Sequence, residues 1–290
     1  MKTYLWLIRR EFWENRAIWT IPAALGVLIT LAALFGRVDA DAGSAEQNRV
    51  SVETGLLALG ALFCAVMSLY STWYLVECLY ADRKDRSVLF WKSLPITDGA
   101  TVLSKLFTAL IAIPVVYMVA ADVTALLVAF IVSLRTHWTL GTAPWQPGIW
   151  FECQVLWLYV IASSAVWYLP LAGALMLVSA WAKRAALLWS TLLPIAAILA
   201  EQLFIHSHKL ADMLQNRLFG YFQLAFRGTS AASADSVSMG SIDVMAAHDS
   251  LLAVINPAAF LSNTGTWVGA LAGAALIAGA VQLRMRRTES

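Results

Sequence analysis

Residues 77–105 read ECLYADRKDRSVLFWKSLPITDGATVLSK, a charged interruption between two long apolar runs. The stretch holds five basic and four acidic residues around the apolar patch Val88, Leu89, Phe90 and Trp91. Charges at this density do not belong among lipid tails, whereas the runs on either side are long enough to lie there. We therefore read the stretch as a loop between two membrane helices, exposed to the cytoplasm and shaped to be gripped by another protein.

Composition agrees with a membrane setting. Of the 290 residues, 60% are hydrophobic and only 13% charged, with a mean hydropathy of +0.70. A soluble domain carries about 25% charged residues, so roughly half of the usual polar surface is missing. The net charge of +2 gives no basis for nucleic-acid binding. Cys64, Cys78 and Cys153 fall in or beside apolar runs. Cys64 and Cys78 lie about 21 Å apart along one helix, too far to pair, and read as small core thiols.

Six apolar segments can each cross a hydrocarbon layer, which takes about 20 helical residues. They are residues 17–35, 55–80, 106–134, 150–181, 185–205 and 266–283. The expected fold is an all-α integral membrane protein, with residues 17–283 forming a six-helix transmembrane domain. Pro114, Pro170 and Pro194 should kink or divide their helices. A basic start followed by Ala40-Asp41-Ala42 imitates a signal peptide. The first apolar segment is longer than a signal core of roughly 7–15 residues, which favours an uncleaved first span.

Lys and Arg set the orientation. The N-terminus, the 81–105 loop, Lys183 with Arg184 and the 284–290 tail hold fourteen, whereas the other three loops hold six. Both termini should be cytoplasmic, in the cell (inner or plasma) membrane. Residues 1–16 read as an amphipathic helix lying in the interface. Tyr4, Leu5, Ile8 and Phe12 share one side, with Thr3, Arg10 and Glu14 opposite and Trp6 and Trp13 flanking. Leu7 interrupts the polar side.

On the opposite side of the membrane, residues 36–54 read as a plain polar loop and 135–149 as an interface-hugging turn. The 206–265 segment is the largest. Leu210, Met213, Leu214, Leu218, Phe219 and Phe222 recur at helical spacing within it. Residues 228–249 read as a mobile excursion, and the apolar run 251–261 around Pro257 as a re-entrant or interfacial element before the last span. In that span Gly265, Gly269 and Gly273 repeat every fourth residue, a face for close helix approach within the chain or in a dimer.

Chemical motifs are sparse. No Gly-Lys dipeptide exists, so the phosphate loop of P-loop ATPases is absent from the sequence. HExxH, CxxC and G-x-S-x-G are absent too, and no metal or catalytic set is assigned. Asp122 falls in the middle of the third span. Either it lines a cavity as a proton or cation site, or it hydrogen-bonds to a neighbouring helix.

The run from Asp82 to Lys105, with its charged start, apolar patch, Leu94-Pro95 turn and a Lys entering the third helix, resembles the first cytoplasmic loop of ABC-2-type transporter permeases. The interfacial start ending R-R-E-F-W-E-N-R and the six-span plan are similar as well. The resemblance implies a membrane subunit working as a homo- or heterodimer, paired with separate ABC ATPase subunits that carry ATP and magnesium. This chain would hold no cofactor of its own and would not be an enzyme. The resemblance further implies that Asp82, Arg83, Asp85, Arg86, Val88, Leu89, Phe90, Trp91 and Leu94 dock on the ATPase. Arg9, Arg10 and Glu14 would make a second contact. Phe90 and Trp91 suit a docking centre, although aromatic rings beneath a basic loop can equally rest in the lipid interface. The alternative function is an ion-coupled carrier or channel built on Asp122 and needing no ATPase.

Overall fold

The computed structural model describes residues 2–36, 45–84, 97–136, 143–227 and 251–286. Among them the regular structure is helical, apart from one antiparallel bridge between Phe226 and Ile255. Six helical stretches are long and apolar enough to cross a membrane, matching the six apolar segments of the sequence.

Helix α1 (Lys2–Glu14) leads directly into the first candidate span, α2 (Ala17–Phe35). Helix α3 (Ala45–Lys84) has 40 residues, about 60 Å at 1.5 Å per residue and twice the hydrocarbon thickness. Its first ten residues correct the reading of 36–54 as a plain loop. Residues 45–54 contain neither Pro nor an internal Gly, and Arg49 pairs with Glu53 one turn on at 2.8 Å. At the other end α3 carries Asp82, Arg83 and Lys84 past the apolar segment.

The third stretch, Asp98–Arg135, is one continuous helix with a defect. Helix α4 (Asp98–Phe107) passes through a π turn (Thr108–Ala112) into α5 (Ile113–Arg135). Pro114 explains the defect, because it has no N–H to donate and its ring crowds the preceding turn. Thr97 caps α4, accepting a hydrogen bond from the Ala100 N–H at 3.2 Å.

Pro170 divides the fourth apolar segment into α6 (Pro147–Trp167) and α7 (Leu169–Trp181), which meet at Tyr168. Helix α8 (Ala186–Ala200) follows, continued by a second π turn (Glu201–Ile205) that His206 stops with φ 53°. Leu188, Leu192, Ile195, Leu199 and Leu203 of this stretch are exposed, an apolar exterior that suits lipid.

The helical texture read at 210–222 is helix α9 (Lys209–Ala225). The apolar run around Pro257 forms a 3-10 turn (Leu251–Val254) and the short helix α10 (Pro257–Ser262), which Asn256 caps. Phe226 and Ile255 hold the two ends of segment 228–250 side by side, with Arg227 N–H on Val254 O at 2.7 Å. Helix α11 (Thr264–Arg286) is the last candidate span.

The main core joins α2, α3, α4, α5, α7 and α11, through residues such as Ile18, Tyr74, Val102, Tyr117, Met176 and Ile277. A smaller core at the other end joins α6, α9 and α10 around Trp167, Tyr221 and Phe260.

Candidate functional site

At one end of the bundle, α1, the end of α3, the start of α4 and the end of α11 converge on a buried charge cluster. Glu11 is 0% exposed and Lys105 2%. The Lys105 ammonium lies 3.0 Å from one Glu11 oxygen and 3.2 Å from Asp82. Arg10 reaches Glu11 at 2.8 Å and Glu14 at 3.3 Å. The Tyr74 hydroxyl donates to Glu11 at 2.7 Å. Arg284, near the end of the last span, bridges Asp82 at 3.1 Å and Asp98 at 3.0 Å.

Local helix geometry explains how these groups meet. On α1, Leu7 and Glu11 lie one turn apart, so Glu11 shares its face with the buried Leu7. That face turns toward the bundle. Leu7, which appeared to spoil the amphipathic pattern, is therefore packed inward. Trp6 and Trp13 are exposed, with the Arg9 guanidinium over their rings at 5.3 and 5.9 Å. The side chains of Tyr4 and Leu5 lie outside the described set.

Burial alone would push the Glu11 carboxyl upward. The Lys105 and Arg10 charges and the Tyr74 hydrogen bond outweigh it and hold the value below the ordinary 4.5. Glu11 is thus a carboxylate kept ionised away from water. Such groups are stable only as a set, since removing one partner leaves an uncompensated buried charge.

The expected docking residues separate into two groups. Asp82 is buried in the cluster, and Arg83 points to the end of α7, donating to the Ser179 and Ala182 carbonyls, the latter at 2.8 Å. Both charges are engaged within the chain. Asp85, Arg86, Val88, Leu89, Phe90, Trp91 and Leu94 lie outside the described residues. Arg10 and Glu14 belong to the cluster, whereas Arg9 stays on the surface.

Asp122 accepts a hydrogen bond from Gln154 of α6 at 2.9 Å, an interhelical role. The glycine face packs within the chain. A Cβ on Gly273 would stand 2.7 Å from the backbone of Leu169 and Pro170, so α11 crosses the α6–α7 break at close range. Gly269 leaves room for the Arg217 guanidinium, which lies over the Trp167 ring at 4.5 Å and donates to the Gly265 carbonyl at 2.6 Å.

Glu11, Tyr74 and Arg284 were missed by sequence reading, which also left Lys105 and Asp98 as local helix-entry features. A signal for Glu11 existed: it is the acid on α1 that falls one turn after the apolar Leu7. No local pattern could pair Arg284 with Asp82. No family model matches this chain, and no curated protein or solved structure does either.

Proposed function

We propose that this chain is the permease subunit of an ABC-2-type, ATP-driven exporter, coupled to separate ATPase subunits through residues 82–94. It works as a dimer with a second permease chain in the cell membrane. ATP and magnesium are bound by the partner ATPase, and cargo passes between the spans.

The observation that carries this reading is the ionic cluster at the root of the loop. Asp82 stands just before segment 85–96 in the chain and Asp98 just after it, and both carboxylates hold Arg284 of the last helix. Lys105 extends the connection to α1 through Glu11. A force on the loop therefore reaches four helices through ion pairs whose carboxylates and cations are mostly buried, so that separating them leaves charge uncompensated. A loop resting idly on lipid gains nothing from such an anchorage. The gathering of α1, the loop root and the end of α11 at one end also supports the orientation given by the basic residues.

The decisive experiment is co-expression of this chain with the candidate ATPase, followed by purification on a tag carried by this chain. Co-purification is expected, and Phe90→Ala with Trp91→Ala should abolish it together with transport. Intact capture and transport in that double variant would remove the docking assignment. ATP hydrolysis by the purified chain alone would overturn the division of labour.

A further inference from the structure

The polar chemistry of the cluster does not stop at Glu11. Tyr74 gives its hydroxyl to that carboxylate, and Tyr70 stands one helical turn away on α3. The Tyr70 ring stacks on Tyr117 of α5 with centroids 6.4 Å apart and planes at 25°. Tyr117 is 0% exposed and Tyr70 5%. Neither phenol oxygen, nor the buried hydroxyl of the adjacent Ser71, has a hydrogen-bond partner among the described residues.

Buried hydroxyls are almost always paired, because an unpaired one forfeits its hydration without compensation. Three such groups, two consecutive on α3 and one on α5 stacked against the first, are too many for a dry apolar core, where phenylalanine and alanine would fill the same space at no polar cost. The backbone beside them is irregular as well. Side chains on a helix lean toward its N-terminus, which lays Tyr117 over the turn containing Pro114. That turn follows the π segment Thr108–Ala112, and Pro114 cannot donate to a carbonyl there.

We propose that Tyr70, Ser71 and Tyr117 bind water, forming the inner end of a hydrogen-bonded track that enters the bundle from the charge cluster through Tyr74. Phenols and serine suit this task because each both donates and accepts without carrying charge. The track gives the transport reading a hydrated starting point inside the spans, and it rests on that reading only for this role.

The test uses the full chain in lipid nanodiscs and hydroxyl radicals generated from water by an X-ray pulse. Radicals formed from bound water mark the side chains beside it. Tyr70 and Tyr117 should be oxidised faster than Met176, which has the same 0% exposure as Tyr117 and a reactive thioether. Tyr117→Phe should lower the folding equilibrium constant roughly fivefold, the size of one ordinary hydrogen bond. Protection of both tyrosines at the level of Met176, or a gain of stability in Tyr117→Phe, overturns the proposal. Neither readout involves an ATPase. Failure here leaves the docking assignment standing, and failed ATPase capture leaves the water track standing.

Discussion

The two ends of the bundle are held together by different chemistry. At the loop end, a few buried charges join α1, α3, α4 and α11. At the other end, α6, α9 and α10 are joined by neutral hydrogen bonds and ring contacts, to which the Arg217 guanidinium adds a charge. There Tyr159 donates to Ala225 O at 3.0 Å, Trp167 to Arg217 O at 2.9 Å and Tyr168 to Leu218 O at 3.1 Å. Ser163 and Tyr221 share a hydrogen bond of 2.8 Å, and Tyr159, Tyr221 and Phe222 all pack against Phe226. Buried charges are interdependent, so the loop end is all-or-none. Neutral bonds of about 1 kcal/mol each can be lost singly, so the aromatic end yields by degrees. Under the proposed function, the first arrangement suits an end that passes on force and the second an end that opens and reseals.

The largest contrast should come from Lys105→Met, which leaves only Arg10 to face Glu11 and only Arg284 to face Asp82, with a negative charge in excess in the interior. We expect a loss of about 3–5 kcal/mol in unfolding experiments. Adding Glu11→Gln should restore part of it by removing that excess charge. If Lys105→Met costs no more than a surface substitution, the cluster is not interdependent and the contrast fails. Gly273→Val probes the joint between the two ends. Its new side chain meets the Leu169–Pro170 backbone, which cannot step aside, so overpacking should cost about 1–3 kcal/mol.

Trp167→Phe is the counterpart at the aromatic end. It removes the indole N–H from Arg217 O and weakens the cation–π contact, for an expected loss of about 1–2 kcal/mol. A loss as large as that of Lys105→Met would erase the distinction between the ends.

The mildest test needs only acid. Because the folded-state value of Glu11 lies below its ordinary 4.5, the unfolded chain binds its proton first as pH falls. The contribution of Glu11 is fully present above pH 4.5 and is lost as pH drops through the lowered folded value. The unfolding midpoint of the wild type should therefore decline more steeply below pH 4.5 than that of Glu11→Gln. Identical profiles would show that Glu11 is not held ionised by its neighbours.

Much of this architecture was legible because membrane crossing imposes a length and an apolarity that composition cannot hide. Pro114 and Pro170 announced the irregular turns. Residues 45–54 did not announce a helix: Val50 and Val52 fall on different sides of it, and a helix without an apolar face looks like a loop. The charge cluster was harder still. Arg284 meets Asp82 across 202 positions of sequence, and helical periodicity carries no information at that range. Glu11 was obscured for a different reason. An acid beside Arg10 and Glu14 reads as part of a wet face until the fold turns that face inward.

Helix α3 runs unbroken for 40 residues away from the loop end, with no Pro to let it flex. It is a rigid arm of about 60 Å, fastened at one tip by Asp82 and Arg83. A tilt of about 5° about that tip sweeps the far end through roughly 5 Å, the rise of one helical turn. In such an arm a small angular input at the loop becomes a full-turn displacement at the opposite face, without any helix having to stretch, melt or slide.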